Sequence, residues 1–132
     1  MKRIDVYFLL LAVVLLICGA TLGIVMGARQ DFQLTPVHAH LNLAGWASLA
    51  LFGLTYRSYP VLATRKLAGW HFAVSSFASV LLPIGIGLSV LEHSAGLAIA
   101  ASLLWLGGVL LFLLQLLSLF RADSAGAAVP AE

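Results

Sequence analysis

An uninterrupted apolar run at 6–28 constrains this chain more than any other feature of it. The run carries no charge, and at about 1.5 Å per helical residue it is long enough to cross a hydrocarbon layer of about 30 Å. Lys2 and Arg3 precede it, as in a secretory leader. It is too long for the apolar part of such a leader, and no small-residue cleavage site follows a short one. It therefore reads as a retained membrane span. Composition extends this reading to the whole chain. Of 132 residues, 62% are hydrophobic and 9% charged, whereas soluble domains are about half apolar and about a quarter charged. A water-soluble fold of this size and intrinsic disorder are both excluded. The expectation is an all-α polytopic membrane protein, a four-transmembrane-helix bundle.

Three further spans follow at 36–56, 68–91 and 95–120. The second opens on Thr35-Pro36, a helix start with Thr as N-cap and Pro in the first turn. The third contains Pro83 and the Gly85-Ile-Gly87 pair, which is tolerated where neighbouring helices satisfy the freed carbonyl. Glu92-His93-Ser94 leaves room only for a tight hairpin before the fourth span. Residues 1–121 form one domain and 122–132 a flexible tail. With the N-terminus inside, the inner segments carry Lys2, Arg3, Arg57, Arg65, Lys66 and Arg121, and the outer ones only Arg29. This asymmetry places both termini in the cytoplasm, with the chain in the inner membrane of a bacterium. The net charge of +2 is spread over segment ends, so nucleic acid is not an expected partner; the lipid bilayer is. The single cysteine, Cys18, excludes an internal disulfide and reads as a small packing residue.

Chemistry in such a chain is expected at polar side chains within the spans. A histidine there is costly unless paired, hydrated or coordinated. His40 lies one to two turns inside the second span, with Leu43, Ala44, Ala47 and Leu51 continuing its face. Small residues beneath a histidine leave room for a flat ligand such as a porphyrin; the alternative is a histidine bonded to a neighbouring helix. His38, about 200° around the helix from His40, shares its face with Asn42. It is either a metal ligand, a partner of Asn42 or a histidine at the membrane surface. His38, His40 and His93 all lie at the outer end, where together with Asp31 and Glu92 they could form a copper or zinc site. His71 follows Trp70 at the inner end. It either anchors the helix at headgroup level with Trp70 or opens a polar stripe continued by Ser75 and Ser79. Gly19, Gly23 and Gly27 form a small-residue stripe for close helix packing. No nucleophile motif, phosphate loop or intramembrane carboxylate pair is present, so no catalytic side chain is assigned.

The stretch His38-Ala-His-Leu-Asn-Leu-Ala-Gly-Trp46, continued by Leu51-Phe-Gly-Leu-Thr-Tyr56 and ending at Pro60, resembles the second helix of subunit I in the heme-copper oxidase superfamily. The likeness is closest to the nitric oxide reductase branch. It implies that His40 is an axial ligand of a low-spin heme. The expected group is heme b, with Asn42 as a hydrogen-bond donor behind the ligand and His71, His38 or a histidine of another protomer completing the ligation. Subunit I of that family has twelve helices and further histidines for copper, so a complete oxidase or reductase within one such chain is not expected. The large subunit resembles three four-helix units around a pseudo-threefold axis, which implies a homotrimer of this chain. The functional expectation is a heme- or transition-metal-binding membrane protein in electron transfer or metal handling, with a respiratory-chain partner. The alternative is a cofactor-free accessory or assembly subunit docked through the glycine stripe. A transporter is the weaker third reading, for want of a buried acid or an inverted repeat.

Overall fold

The structure is a computed structural model that describes residues 3–126, with side chains for 3–120. Helix α1 is Ile4–Arg29. It ends where Gln30 turns left-handed (φ 51°), and the Gln30 side-chain amide donates to the Gly27 carbonyl at 2.7 Å. Helix α2, Thr35–His40, passes directly into a π-helical stretch, Leu41–Ala47, and then into α3, Ser48–Ser58. Thr35 is the first residue of α2 and not its cap; its hydroxyl donates back to the Phe32 carbonyl at 2.6 Å. The short α4, Pro60–Ala63, leads to α5, Lys66–Val90, and a tight link through left-handed Glu92 leads to α6, Gly96–Gly126. Of the expected tail at 122–132, the first residues continue α6, and 127–132 lie outside the described residues.

The fold is all-α among the described residues, but three helices, not four, are long and apolar enough to cross a membrane: Ile4–Arg29, Lys66–Val90 and Gly96–Phe120. The second expected span, 36–56, is the exception. Its α-helical pieces run to six and 11 residues on either side of the π-helical stretch. Pro36, His38, His40 and Asn42 also concentrate polarity in its first turns. We refer to 35–58 as the composite segment.

This segment lies between α1 and α5, with Leu43, Leu51 and Leu54 facing outward. It runs antiparallel to α1, which packs on it through glycines of both partners. Gly19 faces Asn42, Gly23 faces the His38 ring, Gly45 faces Leu15, and Gly53 faces the Asp5 backbone and Phe8. Without a Cβ at these positions the two backbones approach closely. The expected glycine stripe is therefore consumed inside the chain at Gly19 and Gly23, while Gly27 meets nothing. On its other side the composite segment packs on α5 and α6. These two are themselves antiparallel and close, with Gly85 against the Ala98 backbone and Gly108 against Ser75. Phe8, Leu49, Phe52, Tyr56 and Leu62 form the core where α1, α3 and α5 meet. At that end Asp5 pairs with Arg57 at 3.3 Å and Arg3 at 3.6 Å. Of the leucines in α6 that read as lipid-facing, Leu103, Leu110, Leu113 and Leu114 face outward, whereas Leu104 and Leu111 are half-buried. Cys18 is exposed and is not a packing residue of the core, because it lies one helical step from the buried Gly19 and so points away from the composite segment.

The close approach of α5 and α6 makes a direct prediction. A methyl group at Gly85 would come within 2.6 Å of the Ala98 backbone nitrogen, and overpacking of this kind costs about 1–3 kcal/mol. Gly85→Ala should lower the melting temperature in detergent, whereas Gly27→Ala should leave it unchanged or raise it slightly.

Candidate functional site

Polar side chains gather at two separate places along the composite segment. At its start, His40 closes α2 with a partly exposed ring. Its Nδ1 lies 2.8 Å from the Pro36 carbonyl, one turn back, and donates to it. That bond fixes the ring and leaves Nε2 as the lone-pair nitrogen. The ring lines a groove of about 340 Å³ together with Leu43, Ala44, Ser48, Leu82, Ser102 and Trp105. Four of these residues come from the composite segment, one from α5 and two from α6. Leu43, Ala44 and Ser48 follow His40 at steps of three, four and eight residues, on one face of the segment. The Ser48 hydroxyl donates five residues back, to the Leu43 carbonyl at 2.7 Å.

His38 and Asn42 face the other way. His38 Nδ1 donates to the Gly19 carbonyl at 2.8 Å, and the Asn42 amide donates to the His38 carbonyl at 2.8 Å. Of the readings open from sequence, His38 thus follows the partnership with Asn42, extended by a bond to α1. Asn42 supports His38 and not the His40 ring. His93 is exposed in the α5–α6 link, with Nδ1 2.8 Å from the Leu91 carbonyl. Among the described residues no three His, Cys, Asp or Glu side chains are gathered closely enough to hold a metal ion. One chain therefore does not assemble His38, His40 and His93 around a common point. The roughly 200° between the two histidines of α2 sends them to opposite neighbours.

The second place is at the far end of the composite segment. His71 of α5 is completely buried, whereas its neighbour Trp70 is 69% exposed. The anticipated headgroup-level Trp-His pair is therefore split, Trp70 outward and His71 inward. His71 Nδ1 lies 3.0 Å from the Tyr56 hydroxyl, and the Gln115 side-chain amide donates to that hydroxyl at 3.1 Å. Phe52, Phe8 and Phe112 surround the imidazole with ring centroids at 4.7, 5.2 and 5.3 Å. Ser75 and Ser79, on the same face of α5, are also fully buried. The structure does not bring His71 to His40. His71 pairs with Tyr56, and 16 residues of helix separate Tyr56 from His40, roughly 24 Å.

Gln115 is the residue that reading the sequence passes over. The available signal was its type: it is the single amide in the last apolar run, set among leucines, and an amide in such surroundings needs a partner.

The chain matches no family model, no curated protein and no solved structure. None of these comparisons links it to heme-copper oxidase subunit I. In chemical terms the two places differ. The first offers a fixed imidazole with an open nitrogen beside an accessible groove. The second offers a hydrogen-bonded imidazole shut inside aromatic rings.

Removing the Tyr56 hydroxyl strands buried polar atoms of both His71 and Gln115. Tyr56→Phe should destabilise the protein by about 1–3 kcal/mol, measured by denaturant unfolding in detergent. His93→Ala, at an exposed link, should not change stability measurably.

Proposed function

We propose that this chain is an inner-membrane protein of a bacterium that binds heme b through His40 and serves in electron transfer. In this reading the composite segment crosses the membrane as a fourth span, and both termini face the cytoplasm, as the charge asymmetry favours. The observation that carries the proposal is the His40 ring. Its Nδ1–H is held by the Pro36 carbonyl, the arrangement that orients an imidazole and raises the basicity of its other nitrogen. Nε2 is the atom left to coordinate at the groove.

The groove residues fit a flat apolar group. Ala44, Ser48 and Ser102 are small, Leu43 and Leu82 are apolar, and Trp105 adds an aromatic ring. A porphyrin brings four nitrogen ligands of its own and needs only one or two from the protein. A bare copper or zinc ion needs three or more, and no such group is gathered among the described residues. This difference favours heme over the metal-only alternative. Heme, when bound, supplies one-electron redox chemistry. The chain's part is to hold the ligand ring at a set angle, to exclude water with Leu43 and Leu82, and to tune the iron by burial and hydrogen bonding. His71 is held by Tyr56 at the other end of the segment, so a histidine of a second copy of the chain would be the one to complete the ligation. This agrees with the proposed homotrimer, and a respiratory-chain protein is the proposed electron partner. The accessory-subunit alternative relied on a free glycine stripe, and two of its three glycines are already engaged within the chain.

The test is optical. Protein purified without a tag after heme supply should show a Soret band, His40→Ala should abolish it, and His93→Ala should keep it. Colourless wild-type protein under heme supply contradicts the proposal.

A further inference from the structure

The heme reading makes no use of the Gln115–Tyr56–His71 chain, which joins three buried side chains across α3, α5 and α6. An amide nitrogen only donates, so the Tyr56 oxygen accepts from Gln115. With the amide so placed, the acceptor within reach of the Tyr56 hydrogen is His71 Nδ1. That nitrogen carries the lone pair, and the ring proton lies on Nε2. His71 Nε2, Ser75 Oγ and Gln115 Oε1 are all buried without a hydrogen-bond partner among the described residues. Ser75 lies one turn along α5 from His71 on the same face. A buried N–H with no acceptor is costly, and buried water typically makes about three hydrogen bonds to groups of this kind.

We propose that His71 Nε2 and Ser75 Oγ bind water inside the bundle, and that His71 is thereby an internal proton-accepting site. The chain behind the ring is reversible. Half a turn of the Gln115 amide presents Oε1 to Tyr56, which then donates to Gln115 and accepts from His71 Nδ1–H. In this second arrangement Nε2 carries the lone pair and accepts a hydrogen bond from the bound water. A hydronium ion there passes its proton to Nε2, leaving water and an imidazolium. Nδ1–H still donates to Tyr56, and Tyr56 still donates to Gln115, so no hydrogen bond of the chain is lost. A glutamine is suited to this place because its amide is both donor and acceptor. The groups facing the ring are Phe8 from α1, Phe52 and Tyr56 from α3, and Phe112 and Gln115 from α6. None is charged, and Asp5 is engaged with Arg57 and Arg3. The added proton is therefore stabilised by the hydrogen-bonded chain and the water alone.

Nitrogen-15 NMR of histidine-labelled full-length protein in lipid nanodiscs tests this directly. At neutral pH His71 should appear as the neutral Nε2–H tautomer with an exchange cross-peak to water, and on acidification it should convert reversibly to the imidazolium. Gln115→Leu should show both tautomers and a proton affinity about tenfold lower, the loss expected for one hydrogen bond. Ser75→Ala, the milder variant should Gln115→Leu fail to fold, should keep the tautomer and weaken the water cross-peak. An Nδ1–H tautomer, a missing water cross-peak in the wild type, or a water cross-peak unchanged in Ser75→Ala would each overturn the proposal. The same spectra recorded on His40→Ala separate this site from the heme reading, because the His71 result should not change there.

Discussion

In a hydrocarbon surrounding, a polar group that finds no partner within the protein finds none at all. This requirement bears most heavily on the composite segment, which carries His38, His40, Asn42, Ser48 and Tyr56. The bundle is arranged around meeting it. On one side α1 offers a glycine-lined surface, so that the Gly19 carbonyl reaches His38. On the other side α5 and α6 bring His71 and Gln115 to Tyr56. The helices that surround the segment are the ones whose length and composition suit lipid. The bundle thus has an apolar exterior, with the polar side chains gathered along the inward faces of the composite segment and its neighbours.

The π-helical stretch links the two polar places. Widening the helix over Leu41–Ala47 changes the register between His40 at one end and Tyr56 at the other. His40 meets the groove of α5 and α6 over Ala44 and Ser48, while Tyr56 turns into the core against His71. Such stretches are less stable than regular α-helix and concentrate at functional places. Here its seven residues lie directly after the candidate ligand, and two of its residues, Leu43 and Ala44, line the groove.

Much of the architecture was legible in the sequence because apolar runs and their punctuation are strong signals. The run ending at Arg29, the hairpin at Glu92 and the outward leucines of α6 all follow from hydropathy and turn chemistry. The break in the second span was not legible. Its residues are compatible with ordinary α-helix, and none of them marks a π register. The opposed directions of His38 and His40 were legible from helical geometry. That Asn42 serves His38, and not His40, was not, because the small surface of α1 that receives both side chains lies about 20 residues away in sequence. For the same reason Gln115 escaped notice: its partner Tyr56 is 59 residues distant, and only the fold makes them neighbours.

The account depends on the composite segment being turned by its π-helical stretch so that His40 and Tyr56 meet different partners. A high-resolution electron-microscopy map of the protein in lipid nanodiscs measures this most directly. The map should show the Tyr56 hydroxyl within hydrogen-bond reach of both His71 and Gln115, and the His40 ring held by the Pro36 carbonyl with Nε2 toward Ser48 and Trp105. A regular α-helix through 35–58, with Tyr56 turned to lipid and His71 bonded elsewhere, would contradict it.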